Sequence, residues 1–153
     1  MADQMNAKVK LVDGMTFDAT PDSGHTVRVD AAPDVGGREL GPRPLELLLM
    51  GLGACTGMDV ISILRKMRQD VTAYEVNVHA DRAAEHPKVF TRIVVEHVVR
   101  GRNLSEEAVR KAVGLSEHKY CSASAMLGKA APLEHRIRIV QENAAGGVEG
   151  LRQ

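Results

Sequence analysis

The sequence predicts an α+β fold, ordered β-β-β-α-β-β-α-α-β, with antiparallel strands around one long buried helix. Three observations lead there. Residues 44–69, PLELLLMGLGACTGMDVISILRKMRQ, are the longest apolar run and carry Cys55 near the middle. Several shorter stretches alternate apolar and polar residues with the period of a half-buried strand. No linker, repeat or low-complexity block interrupts them, so 1–153 reads as one domain of the commonest size. Its ends, 1–7 and 142–153, are expected to fray.

Residues 8–19, KVKLVDGMTFDA, place Asp13-Gly14 between two strand-like stretches, which signals a hairpin. HTVRVD at 25–30 reads as a third short strand, and the Gly- and Pro-rich 31–43 as a loop. The long run then opens on Pro44, whose missing N–H costs nothing in a first helical turn. Glu46 sits at the positive end of the helix dipole, and Arg65, Lys66 and Arg68 at the negative end. Before Cys55 the apolar residues cover nearly every side; after it they thin to Met58, Val60, Ile61, Leu64 and Met67. That pattern predicts a helix buried all round in its first half and amphipathic in its second. Gly51 and Gly53 make sense there if another backbone packs closely. Residues 73–82 and 89–100 are two long strands joined through His86-Pro87. Asn103 and Glu106 fit a capping box, with Ser105 as the competing cap, for a helix that Gly114 closes. A second helical segment runs from Ser116 through Cys121 to about Gly128, and HRIRIV at 135–140 is the last strand.

Composition excludes several functions. Twenty basic and twenty acidic residues cancel, and aromatics are only 3% with no Trp, so neither a nucleic-acid surface nor an anionic membrane is an expected partner. The apolar run is interrupted by Gly, Glu and Asp, which argues against a bilayer span. The opening MADQMNAKVK lacks a secretory layout, and two cysteines without one point to the reducing cytoplasm.

Cys55 and Cys121 lie 66 residues apart, which is neither a C-x-x-C redox motif nor a zinc ribbon. A reactive thiol needs its ordinary pKa of about 8.5 lowered, and Cys55 follows Pro44 by eleven residues, roughly 16 Å along a helix. A cation from elsewhere is therefore required, from among Lys8, Lys10, Arg28, Arg38 and Arg43. Cys121 is better placed for a helix dipole if a helix begins near Ser116. His118 lies three residues before Cys121, but two ligands are too few for a metal site. His79, His97 and His135 fall in alternating strands and read as surface or packing residues. His25 opens a strand and reads as a solvated turn residue. A Cys–His hydrolase finds no local support. Asp59, one turn after Cys55, can bond or cap a neighbouring element.

PLELLLMGLGACTGMDVISILRKMRQDV and SEHKYCSASAML resemble the two cysteine segments of the OsmC/Ohr family of thiol peroxidases (osmotically inducible protein C and organic hydroperoxide resistance proteins), in particular its YhfA-like branch. The resemblance spans roughly residues 8–140, including the strand order and the GRNLSEEAV helix start. It implies the OsmC-like fold and an intertwined homodimer with its sites at the subunit interface, which would cover the all-apolar half of the helix. It also implies that Cys55 attacks an organic hydroperoxide, that Cys121 resolves the sulfenic acid to a disulfide, and that an external dithiol, lipoyl groups in the Ohr branch, restores both thiols. No metal or organic cofactor is needed. Glu46 enters as a third catalytic residue, although the peroxidase branches carry their glutamate directly after the helix-opening proline, where this chain has Leu45. The alternative is a non-catalytic module of the same fold that binds a small ligand or senses redox state.

Overall fold

A computed structural model describes residues 3–143 and the strand Val148–Arg152, which packs as two compact units, residues 1–48 and 49–153.

In the first unit β1 (Ala7–Asp13), β2 (Thr16–Pro21) and β3 (Val27–Val29) form an antiparallel sheet in chain order. The expected hairpin forms, but with Gly14-Met15 rather than Asp13-Gly14 as its two turn residues, and Gly14 takes a left-handed φ of 55°. Register places Val9 and Ala19 opposite each other, and Leu11, Phe17 and Val29 in one row, so one face of the sheet is apolar. Asp30 organises the Gly- and Pro-rich loop that follows. Its buried carboxylate accepts from the backbone N–H groups of Ala31, Arg38 and Leu40 and from the Thr16 hydroxyl at 2.8–3.3 Å. The Ala31 N–H foremost, with the other donors, holds that carboxyl below its usual range. A Cβ at Gly37 or Gly41 would run into the backbone of Ala31 or Arg28, so only glycine lets this loop fold so tightly.

The long helix α1 spans Pro44–Lys66. Its buried positions are Leu52, Gly53, Thr56, Val60 and Leu64, a stripe at helical spacing. The first half is not buried all round: Leu48 is 48% and Met50 58% exposed in the single chain. At 23 residues α1 is, by length and apolarity alone, long enough for a bilayer span, contrary to the expectation that its polar residues interrupt it too often. Its buried stripe packs on the second sheet instead. Gly53, and not Gly51, makes the close approach: a Cβ there would lie 3.1 Å from Val78 Cγ2, whereas one on Gly51 meets nothing within 4 Å.

The second sheet has the order β4 (Asp70–Arg82), β5 (Phe90–Arg102), β6 (Leu133–Glu142) and β7 (Val148–Arg152). The β4–β5 hairpin turns through a cis His86–Pro87 bond. The expected antiparallel pairing holds for β4–β5 and β6–β7, but β5 and β6 run parallel. The cause is the connection. The chain leaves β5 through α2 (Glu106–Leu115), a π-turn (Ser116–Tyr120) and α3 (Ser122–Ala130), and such a crossover returns the chain in the same direction. The tail beyond residue 142, expected to fray, contains β7, which pairs with β6; residues 144–147 and 153 lie outside the described residues. Val60 and Leu64 of α1, Val109, Ala112 and Val113 of α2, Val99, Leu104 and Ile139 make the core.

Of the two competing caps, Ser105 takes α2: its Oγ accepts from Ala108 N at 3.2 Å, while Asn103 turns the chain at a φ of 47°. Gly114 does not close that helix, which passes through Leu115 into the π-turn. A Cβ there meets nothing within 4 Å, so Gly114→Ala is expected to stabilise the protein by about 1 kcal/mol. A higher urea midpoint at unchanged slope checks this.

Candidate functional site: two cysteines joined by buried hydroxyls

Cys55 projects from the middle of α1 and is half-buried; Cys121 is buried, and both are free thiols. Cys121 is the N-cap of α3, its Sγ accepting from Ser124 N at 3.3 Å. The helix expected to begin near Ser116 begins at Ser122 instead, because a π-turn occupies 116–120, and this makes Cys121 its cap. Burial pushes the Cys121 thiol up. The hydrogen bonds from Ser124 oppose this, and the neighbouring Cys55 sulfur, as hydrogen-bond partner and as charge, pushes it up further. The two sulfurs are therefore neighbours, and a negative charge on Cys55 works against ionisation of Cys121. Cys121 thus holds its proton more tightly than an ordinary thiol.

The segments carrying these thiols are joined by side chains that sequence reading did not single out. Thr56 and Ser116 are wholly buried, with their hydroxyls 2.7 Å apart, and Ser116 Oγ donates to Asp59 Oδ2 at 3.0 Å. Asp59 does bond a neighbouring element, as expected, and that element leads into Cys121. A cleft of about 510 Å3 lies alongside, lined by Met58, Asp59, Ser62, Ile63, Lys66, Leu115 and Tyr120. Met58 follows Cys55 by one helical turn and Tyr120 directly precedes Cys121, so the cleft adjoins both thiol segments.

Beneath α1, three residues on adjacent strands form a chain, His97 wholly buried at its centre and Tyr74 and His135 half-buried. Tyr74 Oη lies 2.6 Å from His97 Nδ1, and His97 Nε2 lies 2.9 Å from His135 Nδ1. Burial and then the Asp59 charge push the Tyr74 hydroxyl up, and the direction of its bond to His97 Nδ1 follows the His97 tautomer. Burial, reinforced by His135, pushes His97 down to about 4. His135 is also lowered, by burial foremost; Glu117 opposes that and His118 adds to it. Its Nε2 is buried without a partner among the described residues. Of the two readings left open for them, surface or packing, His97 and His135 are packing residues, but polar and linked.

Other expected groups have partners of their own. Glu46 Oε2 accepts from Arg43 N at 3.0 Å, which completes the start of α1 in the manner of a capping box. Among the expected cations, Arg28 pairs with Asp18, Arg38 with Asp13, and Arg43 with Glu39. His118 is exposed beside Glu117, and His79 pairs with Asp81 on the exposed face of β4.

The folded chain is thus a two-thiol α+β protein, with one half-buried sulfur on a central helix and one buried sulfur at a second helix start. It belongs to the OsmC-like protein family, whose model matches residues 36–136. It is 42% identical over 136 residues to protein YhfA of Escherichia coli K12, covering 89% of this chain and 98% of that protein. The crystal structure of a hypothetical protein from Aquifex aeolicus VF5 superposes with a TM-score of 0.81 at 30% identity, covering 93% of this chain and all of the other. An organic hydroperoxide resistance protein OsmC from Legionella pneumophila shares the fold, with a TM-score of 0.65 at 14% identity over 90% of this chain and 98% of its own.

Proposed function

We propose that the protein is a two-cysteine thiol peroxidase that reduces organic hydroperoxides to alcohols in the cytoplasm. The observation that carries this reading is the asymmetry of the sulfur pair. Cys55 is half-buried, while Cys121 is buried beside it with its pKa raised. In the first step the Cys55 thiolate attacks the outer peroxide oxygen. The O–O bond breaks, the alkoxide takes a proton and leaves as the alcohol, and Cys55 becomes a sulfenic acid. Cys121 then attacks that sulfur, water leaves, and a disulfide forms. An external dithiol, for which a lipoyl group is the proposed donor, returns both thiols by exchange.

The substrate's organic part is assigned to the cleft beside Met58 and Tyr120, whose lining is mostly apolar. The active unit in this reading is a homodimer. Support comes from apolar surface that one chain leaves open: Leu48, Met50 and Met58 on α1, and Val9, Leu11 and Val27 on the three-stranded sheet. Sedimentation as a monomer at micromolar concentration would remove that part.

The test is stopped-flow oxidation of the reduced protein by cumene hydroperoxide and, separately, by hydrogen peroxide. Fast reaction with the organic peroxide, well ahead of hydrogen peroxide, is expected. Rates no better than those of a free thiol overturn the assignment.

A further inference from the structure

We infer that Ser116 is a positioning residue that sets the two cysteines in register, with Thr56 and Asp59 as its two anchors on α1. The inference rests on the two-cysteine reading above and concerns what brings the thiols together rather than what they attack.

Three of the hydrogen bonds of Ser116 tie the two cysteine segments together, beside the helical bonds its N–H makes to Ala112 and Val113. Its hydroxyl faces Thr56 at 2.7 Å and donates to Asp59 at 3.0 Å, and its carbonyl accepts from Cys121 N at 2.8 Å. A serine hydroxyl has one proton. With that proton given to the Asp59 carboxylate, the Thr56 hydroxyl must be the donor to Ser116 Oγ. The chain therefore has one direction, Thr56 to Ser116 to Asp59, and ends on an acceptor that has no proton to return. Thr56 directly follows Cys55, and Asp59 lies one helical turn beyond it. The same serine thus grips α1 on both sides of a turn beginning at Cys55, while its backbone holds the N–H of Cys121. Thr56 and Ser116 are fully buried, so water does not substitute for a lost arm without opening the core.

The π-turn is part of the device. Its wider winding ends in the Cys121 N–H bond to Ser116 O, and the chain then turns extended at Cys121, with φ −76° and ψ 101°, before α3 begins. Moving Ser116 therefore moves Cys121.

The experiment measures how strongly the fold favours the Cys55–Cys121 disulfide, independently of any peroxide. The full-length protein is equilibrated in mixtures of reduced and oxidised glutathione. One glutathione disulfide becomes two thiols as the protein loses two thiol protons and gains one S–S bond. The oxidised fraction is read by acid quench, alkylation and mass. Ser116→Ala is expected to lower the equilibrium constant about tenfold or more, with the alkylation rate of Cys55 unchanged. Thr56→Val is expected to lower it several-fold, and Thr56→Ser, which keeps the hydroxyl, to restore it. If Ser116→Ala does not fold, the Thr56→Val and Thr56→Ser pair decides.

Equal constants in Thr56→Val and Thr56→Ser, or a wild-type constant in folded Ser116→Ala, overturn the inference. So does a wild type that forms no Cys55–Cys121 disulfide at any glutathione ratio. A wild type that forms it readily, with the expected order among the variants, but reacts with peroxides no faster than a free thiol leaves the positioning role standing and removes the peroxidase.

Discussion

Cys55→Ser is expected to abolish peroxide-dependent oxidation, and Cys121→Ser to preserve its first step and stop at the second. The difference follows from where the sulfurs sit. Cys55 is half-buried and Cys121 buried, so removing Cys55 leaves the more deeply buried thiol, its pKa raised, as the remaining nucleophile. Turnover with an organic hydroperoxide should fall by at least roughly 100-fold, in keeping with loss of a nucleophile elsewhere. In Cys121→Ser the Cys55 sulfenic acid has no thiol beside it to condense with and should accumulate, to be trapped by dimedone and seen as a mass adduct. One equivalent of peroxide should be consumed quickly and the cycle then stall. Equal first-step rates in wild type and Cys55→Ser would mean that the chemistry belongs to another group.

The buried histidine chain should make the protein acid-sensitive in a defined window. His97 binds its proton with a pKa of about 4 in the folded chain, against about 6.5 when unfolded. Between those values the unfolded state holds more protons, so stability falls as pH drops through the window. It is fully present above about pH 6.5 and its loss is nearly complete once pH reaches about 4. A displacement of that size corresponds to about 3 kcal/mol, and lowered His135 acts in the same direction. The carboxylates held below their ordinary range by hydrogen bonds, Asp18, Asp30 and Glu134, add to the loss only near the bottom of the window, so its upper part, above about pH 5, belongs to the histidines. Urea melts at half-unit steps from pH 7 to 4 measure the slope. His97→Phe should be less stable at pH 7, because Tyr74 and His135 lose their partner, yet show a flatter slope. An unchanged slope would assign the acid sensitivity elsewhere.

The elements were legible because each carries its own local pattern. Asp13-Gly14 specifies a hairpin, Pro44 and Glu46 open a helix, and Ser105 caps one wherever the chain goes afterwards. The two cysteine segments were legible through resemblance, since a run such as GACTGMDVISIL is too specific to be composition alone. Glu46 shows the limit of that route. A carboxylate in the first turn of a helix has a local use, and here its oxygen accepts the Arg43 N–H. The single chain leaves Leu48 and Met50 of α1 exposed because an apolar side chain shows that it would gain from burial, not that its own chain supplies the cover.

The sequence by itself determined the α+β class, the order of the first six strands and three helical segments, and the identity of the two thiols. Tertiary structure alone decided that β5 and β6 run parallel, that the tail adds β7, and which side chains meet. Thr56 and Ser116 are sixty residues apart, and Tyr74, His97 and His135 lie on three strands. Nothing in a local window distinguishes such residues from an ordinary threonine, serine or histidine. The physical reason is that propensity and hydrophobic period act over a few residues, whereas a buried polar group must find its hydrogen-bond partner wherever the fold brings one. For Ser116 that partner is the helix carrying Cys55.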